Sequence, residues 1–201
     1  MGLHFILEHI DREGTYAKIL FMDFISAFNT VIPELLSSKL FQLSVLPAFS
    51  RWIYNVLTGR TQQVRLGDTT SSTRIISTGA PIGCVLSPHL FSLYKNDCTS
   101  WHPTIKLLKF GDDIILICVI KDGAKSVYRQ EVVRLELWCG QHNLALDTLK
   151  TVEMIVDFRR HPSPQLPLML SNCPVSTIEI FKFLEITVSE DLKWGTNINS
   201  S

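Results

Sequence analysis

Ile105-Lys106-Leu107-Leu108-Lys109-Phe110-Gly111-Asp112-Asp113-Ile114-Ile115-Leu116-Ile117-Cys118-Val119-Ile120 decides the fold. Two apolar runs, Ile105–Phe110 and Ile114–Ile120, are separated only by Gly111-Asp112-Asp113. Runs of this length, rich in β-branched residues and joined by turn chemistry, read as a hairpin of two buried strands. The turn is acidic. Upstream, Tyr16–Met22 is apolar apart from Lys18, reads as a third buried strand, and runs straight into Asp23. A strand ending in one acid beside a hairpin turning on two would gather three carboxylates at one sheet edge. Hard cations such as Mg²⁺ prefer such oxygens, and two ions roughly 3.5–4 Å apart can stabilise the attacking and leaving oxygens of a phosphoryl transfer. The rival reading is ordinary turn chemistry at Gly-Asp-Asp and a solvated strand end at Asp23. Pattern alone favours that rival, although an acidic tip between two buried strands is poorly explained by solubility.

Outward from the hairpin the chain alternates short helices and strands. Leu3, Ile6, Leu7 and Ile10 recur at helical spacing before a turn at Asp11-Arg12-Glu13-Gly14. Pro33 opens a helix over Glu34–Leu43, and Ser50–Leu57 reads as another, ending at Gly59. Gln62–Leu66 and Thr73–Ser77 read as paired strands around Gly67-Asp68, and Thr78–Gly83 as a loop. Ser87 is expected to cap the next helix with Pro88 at its first position. Val132, Leu135 and Cys139 mark an amphipathic helix ending near Asn143. Lys150–Phe158 reads as a strand, His161–Pro167 as a surface loop, and Ile178–Val188 as a final hairpin. The class expected is α+β, helices packed on one face of an antiparallel sheet.

Composition narrows the partners. The chain has 201 residues, 46% hydrophobic, with 19 basic and 19 acidic side chains, so nucleic acid would have to be met by a local patch rather than a net field. Five scattered cysteines without a CxxC pair argue against a disulfide framework or zinc site, and each reads as a small buried residue in a reducing, intracellular setting. No apolar run approaches the ~20 residues of a membrane span, and the N-terminus carries neither a signal peptide nor a myristoylation pattern. A nuclear or cytoplasmic location without membrane partners is the expectation.

Phe21-Met22-Asp23-Phe24-Ile25-Ser26-Ala27-Phe28-Asn29-Thr30 together with Phe110-Gly111-Asp112-Asp113 resembles the acidic motifs of reverse transcriptases from LINE-type, non-LTR retrotransposons. Ser77–Pro88, Leu144–Thr151 and Phe181–Leu184 resemble three further motifs of that family, in the family's order. The resemblance implies the palm region of an RNA-directed DNA polymerase, with Asp23, Asp112 and Asp113 holding catalytic Mg²⁺, or Mn²⁺ in its place. It implies further that Lys150 stands near the leaving pyrophosphate. Phe28 would crowd a ribose 2′-OH, with Phe24, Pro81, Ile82 and Gly83 also at the nucleotide. Phe181, Phe183 and Leu184 would grip the primer end. Taken singly, Phe28 is better read as a core aromatic and Lys150 as a solvated charge, and the Phe181 segment is open to reading as a buried edge strand.

Four positions depart from the family pattern. Ile82 replaces a Gln and cannot hydrogen bond. Gly111 replaces Ala, Asp147 replaces Asn, and Glu185 replaces Gly at the end of the grip motif, where an acid should repel phosphate. Residues 1–201 are thus read as a single partial reverse transcriptase domain, a palm with the fingers mostly absent and the thumb absent. Two functions follow: a polymerase using RNA template, DNA primer and dNTPs, or a non-catalytic remnant that folds as a palm and binds metal, nucleic acid or a host protein.

Overall fold

The computed structural model of the chain describes residues 2–10, 13–121, 125–161, 165–184 and 186–192. In chain order these form α1 (Gly2–Ile10), β1 (Thr15–Met22), α2 (Pro33–Gln42), α3 (Pro47–Leu57), β2 (Arg60–Gln62), β3 (Arg65–Leu66), β4 (Thr69–Thr70) and β5 (Arg74–Ile76). There follow α4 (Leu86–Tyr94), β6 (Ile105–Phe110), β7 (Asp113–Lys121), α5 (Lys125–Gln141), β8 (Val152–Val156), β9 (Met169–Leu170), β10 (Cys173–Pro174), β11 (Ser176–Thr177), β12 (Ile180–Phe183) and β13 (Ile186–Ser189). The chain divides into two compact units, one of residues 1–23, 99–137 and 146–201, the other of residues 24–98 and 138–145.

The first unit is built on a five-stranded sheet of order β11-β8-β1-β7-β6, antiparallel except where β11 joins β8. β1 is central and all eight of its residues are buried, which is why its sequence runs apolar rather than alternating. Its register with β7 runs from Thr15↔Lys121 to Met22↔Ile114. Side chains alternate between the two faces. Ala17, Ile19 and Phe21 pack with Ile115, Ile117, Met154 and Val156 under Ile6 and Ile10 of α1. On the opposite face Lys18 meets Glu153 of β8 and Tyr128 of α5. The expected α+β class is what the chain adopts, with one difference in layering: α1 and α5 flank the sheet on opposite faces.

Lys18 is the polar residue that interrupts the strand pattern, and its burial has a local explanation. Its Nζ donates to Glu153 Oε2 at 2.9 Å, the Tyr128 hydroxyl donates to Oε1 at 2.6 Å, and Nζ lies 5.3 Å from the Tyr128 ring centre. Both carboxylate oxygens are satisfied. Desolvation of the pair is thereby compensated, although such pairs give little net stability over an apolar isostere.

The second unit carries α2, α3, α4 and the last turn of α5, with two small hairpins. Leu36, Leu40, Ile53, Leu57, Leu90 and Phe91 form its buried apolar surface. α2 and α3 each begin on proline, Pro33 and Pro47, where the missing N–H costs nothing. The paired strands expected at 62–66 and 73–77 resolve into two hairpins, β3 with β4 around Gly67-Asp68 and β2 with β5 outside them. Ser87 is not a helix cap: α4 is preceded by Val85, and Ser87 Oγ donates to the Pro81 carbonyl at 2.6 Å. Cys98, Cys118 and Cys139 are buried as expected, whereas Cys84 and Cys173 are exposed, because both stand in short surface segments. The turn residues Asp11 and Arg12, the loop residues Pro162–Pro164 and the grip-motif Glu185 lie outside the described residues. Among the described residues no helix is long and apolar enough to cross a membrane.

Candidate active site

Register places the acids. Carrying the β1–β7 pairing one step past Met22↔Ile114 sets Asp23 opposite Asp113. Residues directly opposite on antiparallel strands point to one face with Cβ atoms about 4.5–5.5 Å apart. Alternation puts both carboxylates on the face of Phe21 and Ile115. The hairpin turn is two residues long, Gly111 and Asp112, because Phe110 pairs directly with Asp113. Gly111 sits at φ +52, a conformation that suits glycine and that a Cβ would strain, with open space around it. Asp112, half-buried, is thus a turn residue, and Asp113 is the first residue of the strand.

A third element brings the cation. Lys150 Nζ lies 3.2 Å from Asp23 Oδ2 and 3.9 Å from Asp147 Oδ2. The hydrogen bond to Asp23 raises the Lys150 pKa above the ordinary lysine value, with the charges of Asp23, Asp147 and, last, Asp112 adding to it. Asp147 shapes this segment: its Oδ1 accepts from the backbone N–H of Leu149 at 3.1 Å and of Lys150 at 3.2 Å, and its own N–H donates to the Asp23 carbonyl at 3.0 Å. This is an Asx turn, which an Asn oxygen makes equally well, so Asp for Asn at 147 keeps the geometry. The sequence marked the position as a departure; its role as the anchor of Lys150 emerges only in the structure.

Asp23, Asp113, Lys150, Phe181 and Phe183 border one cavity of about 210 Å³. Phe181 stacks on Phe21, ring centres 4.0 Å apart and planes 25° apart, which seats the β12–β13 hairpin on the face that carries the acids. Such a stack contributes roughly 0.5–1.5 kcal/mol beyond burial. Leu184 lies in the turn after β12 at φ +48 and borders a neighbouring apolar cavity of about 240 Å³ instead.

In the second unit, Phe24 is buried with its ring edge-on to Phe91 at 6.3 Å, and Phe28 is half-buried 5.2 Å from the same ring. Phe28 therefore has a packing role whatever else it does. Pro81, Ile82 and Gly83 follow a buried Ala80 in one loop, with Ile82 77% exposed.

Among the described residues no three His, Cys, Asp or Glu side chains converge as a metal cage. The donors nevertheless suit a hard divalent ion in kind: carboxylates at one sheet edge, one of which already holds the Lys150 ammonium.

An antiparallel sheet with acids at the end of its central strand and at the adjoining hairpin, flanked by helices, is the palm of a nucleotide polymerase. The chain belongs to the reverse transcriptase (RNA-dependent DNA polymerase) family, whose sequence pattern matches residues 2–188. It is similar to the probable RNA-directed DNA polymerases from transposon BS and from transposon X-element of Drosophila melanogaster, each 25% identical, over 99% and 98% of this chain. It is 23% identical to the RNA-directed DNA polymerase from mobile element jockey of Drosophila funebris over 98% of its length. The chain spans 22–23% of the length of these curated relatives. In fold it resembles a telomerase from Candida tropicalis, solved with a fragment of telomeric RNA, at TM-score 0.64 and 14% identity, covering 96% of this chain and 32% of that one.

Proposed function

We propose that the chain is the catalytic palm of a retrotransposon RNA-directed DNA polymerase, extending a DNA primer on an RNA template from dNTPs. The observation that carries this reading is that Asp23 and Asp113 border one cavity with Lys150, whose ammonium lies on the Asp23 carboxylate. Asp23, Asp112 and Asp113 would hold the Mg²⁺ or Mn²⁺ ions, whose chemistry is to neutralise phosphate charge and activate the primer hydroxyl. Lys150, kept protonated by Asp23, supplies positive charge and a proton to the departing pyrophosphate. Phe28 crowds the ribose 2′ position beside Phe24, and Pro81, Ile82 and Gly83 contribute backbone and apolar surface to the nucleotide. Phe181 and Phe183 hold the primer end from β12, with Leu184 at the turn. Primer extension on an RNA template with dNTPs and Mg²⁺ or Mn²⁺ tests it. Product should form and fall by roughly 10²–10³-fold in Asp113→Asn and in Asp112→Asn, as loss of a preorganised charge does elsewhere. No product from well-folded protein defeats the proposal.

The second reading is a palm that binds nucleic acid without turnover. The exposed apolar Ile82, where the family pattern has a hydrogen-bonding Gln, favours it. Its signature is retained primer–template binding without extension under either metal.

A further inference from the structure

Arg60, the first residue of β2, lies outside the five segments quoted above and sits at a junction of the second unit. Its Nη2 donates to two successive carbonyls of the 78–83 loop, Thr78 O at 2.8 Å and Gly79 O at 2.5 Å. Its Nε donates to Leu57 O at 3.1 Å, the last residue of α3. A planar guanidinium can serve a helix end and a loop at once; a lysine ammonium has no such fixed fork. Arg60 thus ties the loop to the end of a helix.

The opposite edge of the same loop is tied to the segment that carries Phe28. Gly79 N–H donates to Val31 O at 2.6 Å, Ala80 N–H to Phe28 O at 2.7 Å, and Thr78 Oγ1 to Asn29 O at 3.1 Å. The approach is so close that a Cβ on Gly79 would stand 2.8 Å from Asn29 Cα, and Gly79 has φ +83. Loop and Phe28 segment therefore share one backbone seam, with Arg60 behind it.

We propose that Arg60 is a positioning residue for nucleotide selection: by holding the Thr78 and Gly79 carbonyls it fixes both the Pro81–Gly83 loop and the setting of Phe28. This rests on the polymerase reading above. Carbonyls polarised by a cation make their peptide N–H groups better donors, so the latch and the seam reinforce each other. Loosening the latch should displace the groups that meet the nucleotide without touching Asp23, Asp112 or Asp113.

The test compares wild type, Arg60→Lys and Arg60→Gln in steady-state extension with dNTPs and with rNTPs, alongside amide hydrogen exchange. Arg60→Gln should raise KM for dNTP on the order of tenfold, the scale of a lost charge-assisted hydrogen bond, while kcat stays within about twofold. Its preference for dNTP over rNTP should fall by a comparable factor, with Arg60→Lys recovering part of both. The Gly79 and Ala80 amides should exchange faster in Arg60→Gln while those of β1 and β7 do not. Unchanged KM, unchanged sugar preference and unchanged exchange at Gly79 and Ala80 would overturn the proposal and leave the polymerase reading standing. Should the wild type not polymerise, faster exchange at those two amides still upholds the latch while the polymerase reading falls, and unchanged exchange removes both.

Discussion

β1 and the residue that follows it, Asp23, each contribute to a lysine–carboxylate pair, and the two pairs are opposites. Lys18 and Glu153 meet at 2.9 Å with side chains only 5% and 3% exposed, whereas Lys150 and Asp23 meet at 3.2 Å with side chains 68% and 28% exposed. The first is closed on all sides, with the Tyr128 hydroxyl on the remaining carboxylate oxygen. The second stands at a cavity mouth, where water and salt screen it. The same chemistry is therefore fixed in one place and exchangeable in the other. A charge that must trade partners during a reaction belongs on the exposed side, and that is where the candidate catalytic groups lie.

The largest expected effect comes from halving the buried pair. Glu153→Ala strands the Lys18 ammonium and the Tyr128 hydroxyl in the core and should cost about 3–5 kcal/mol, read as a lower denaturant midpoint. Replacing the whole cluster as Lys18→Met, Glu153→Leu and Tyr128→Phe should bring stability back to within about 1–2 kcal/mol of wild type. If that triple variant is as weak as Glu153→Ala, the cluster does more than fill space.

Alkaline pH gives a smaller effect from the same layer. Burial pushes the Cys118 thiol up to about 12, with the Thr104 hydrogen bond opposing and the Glu131 charge adding; Cys118 pairs across from Lys18. Burial, then the Glu153 charge, drives the Tyr128 hydroxyl well above its ordinary 10.0. Both groups keep their protons in the folded state after the unfolded chain has released its own. The unfolded chain then binds fewer protons, so stability must fall as pH rises from about 9 towards 12, by up to about 1.4 kcal/mol per pH unit per group. Urea melts across that range should show the decline, and Cys118→Ala should flatten the portion between about 9 and 10, before tyrosine titrates.

The smallest effect on stability belongs to the exposed pair. Lys150→Ala should leave the unfolding midpoint unchanged while tightening Mn²⁺ binding roughly threefold to tenfold, because a competing cation has left Asp23. Titration of Mn²⁺ by its paramagnetic signal measures this. Equal affinity in both proteins would mean that Lys150 and the ion do not share Asp23.

What could be read from the sequence was what is local. The β6–β7 hairpin and β1 declared themselves because a two-residue turn and an unbroken apolar strand are properties of adjacent residues. Five ordered motifs resemble those of reverse transcriptases, and the family match over residues 2–188 agrees with that membership. Partners distant in sequence were silent: nothing near Lys18 announces Glu153, 135 positions on. Ser87 departs from the expected cap for a related reason, since its hydroxyl reaches back six residues to Pro81 rather than to its own helix. Asp147 stands out in the sequence as a departure because residue type is visible there and geometry is not; the oxygen that makes its turn is common to Asp and Asn.

The turn at Gly111 and Asp112 works as a ruler. A substitution there changes strain by degrees, but one inserted or deleted residue shifts β6 against β7 or rotates the alternation of β7. The second change carries Asp113, Ile115 and Ile117 to the side now occupied by Ile114, Leu116 and Cys118, and turns an acid onto the face that holds Lys18. Catalytic placement and core burial would fail in the same event. For this chain, a frame-preserving length change of a single codon at the hairpin is more damaging than most substitutions of its aspartates, because an Asn in their place would still fold.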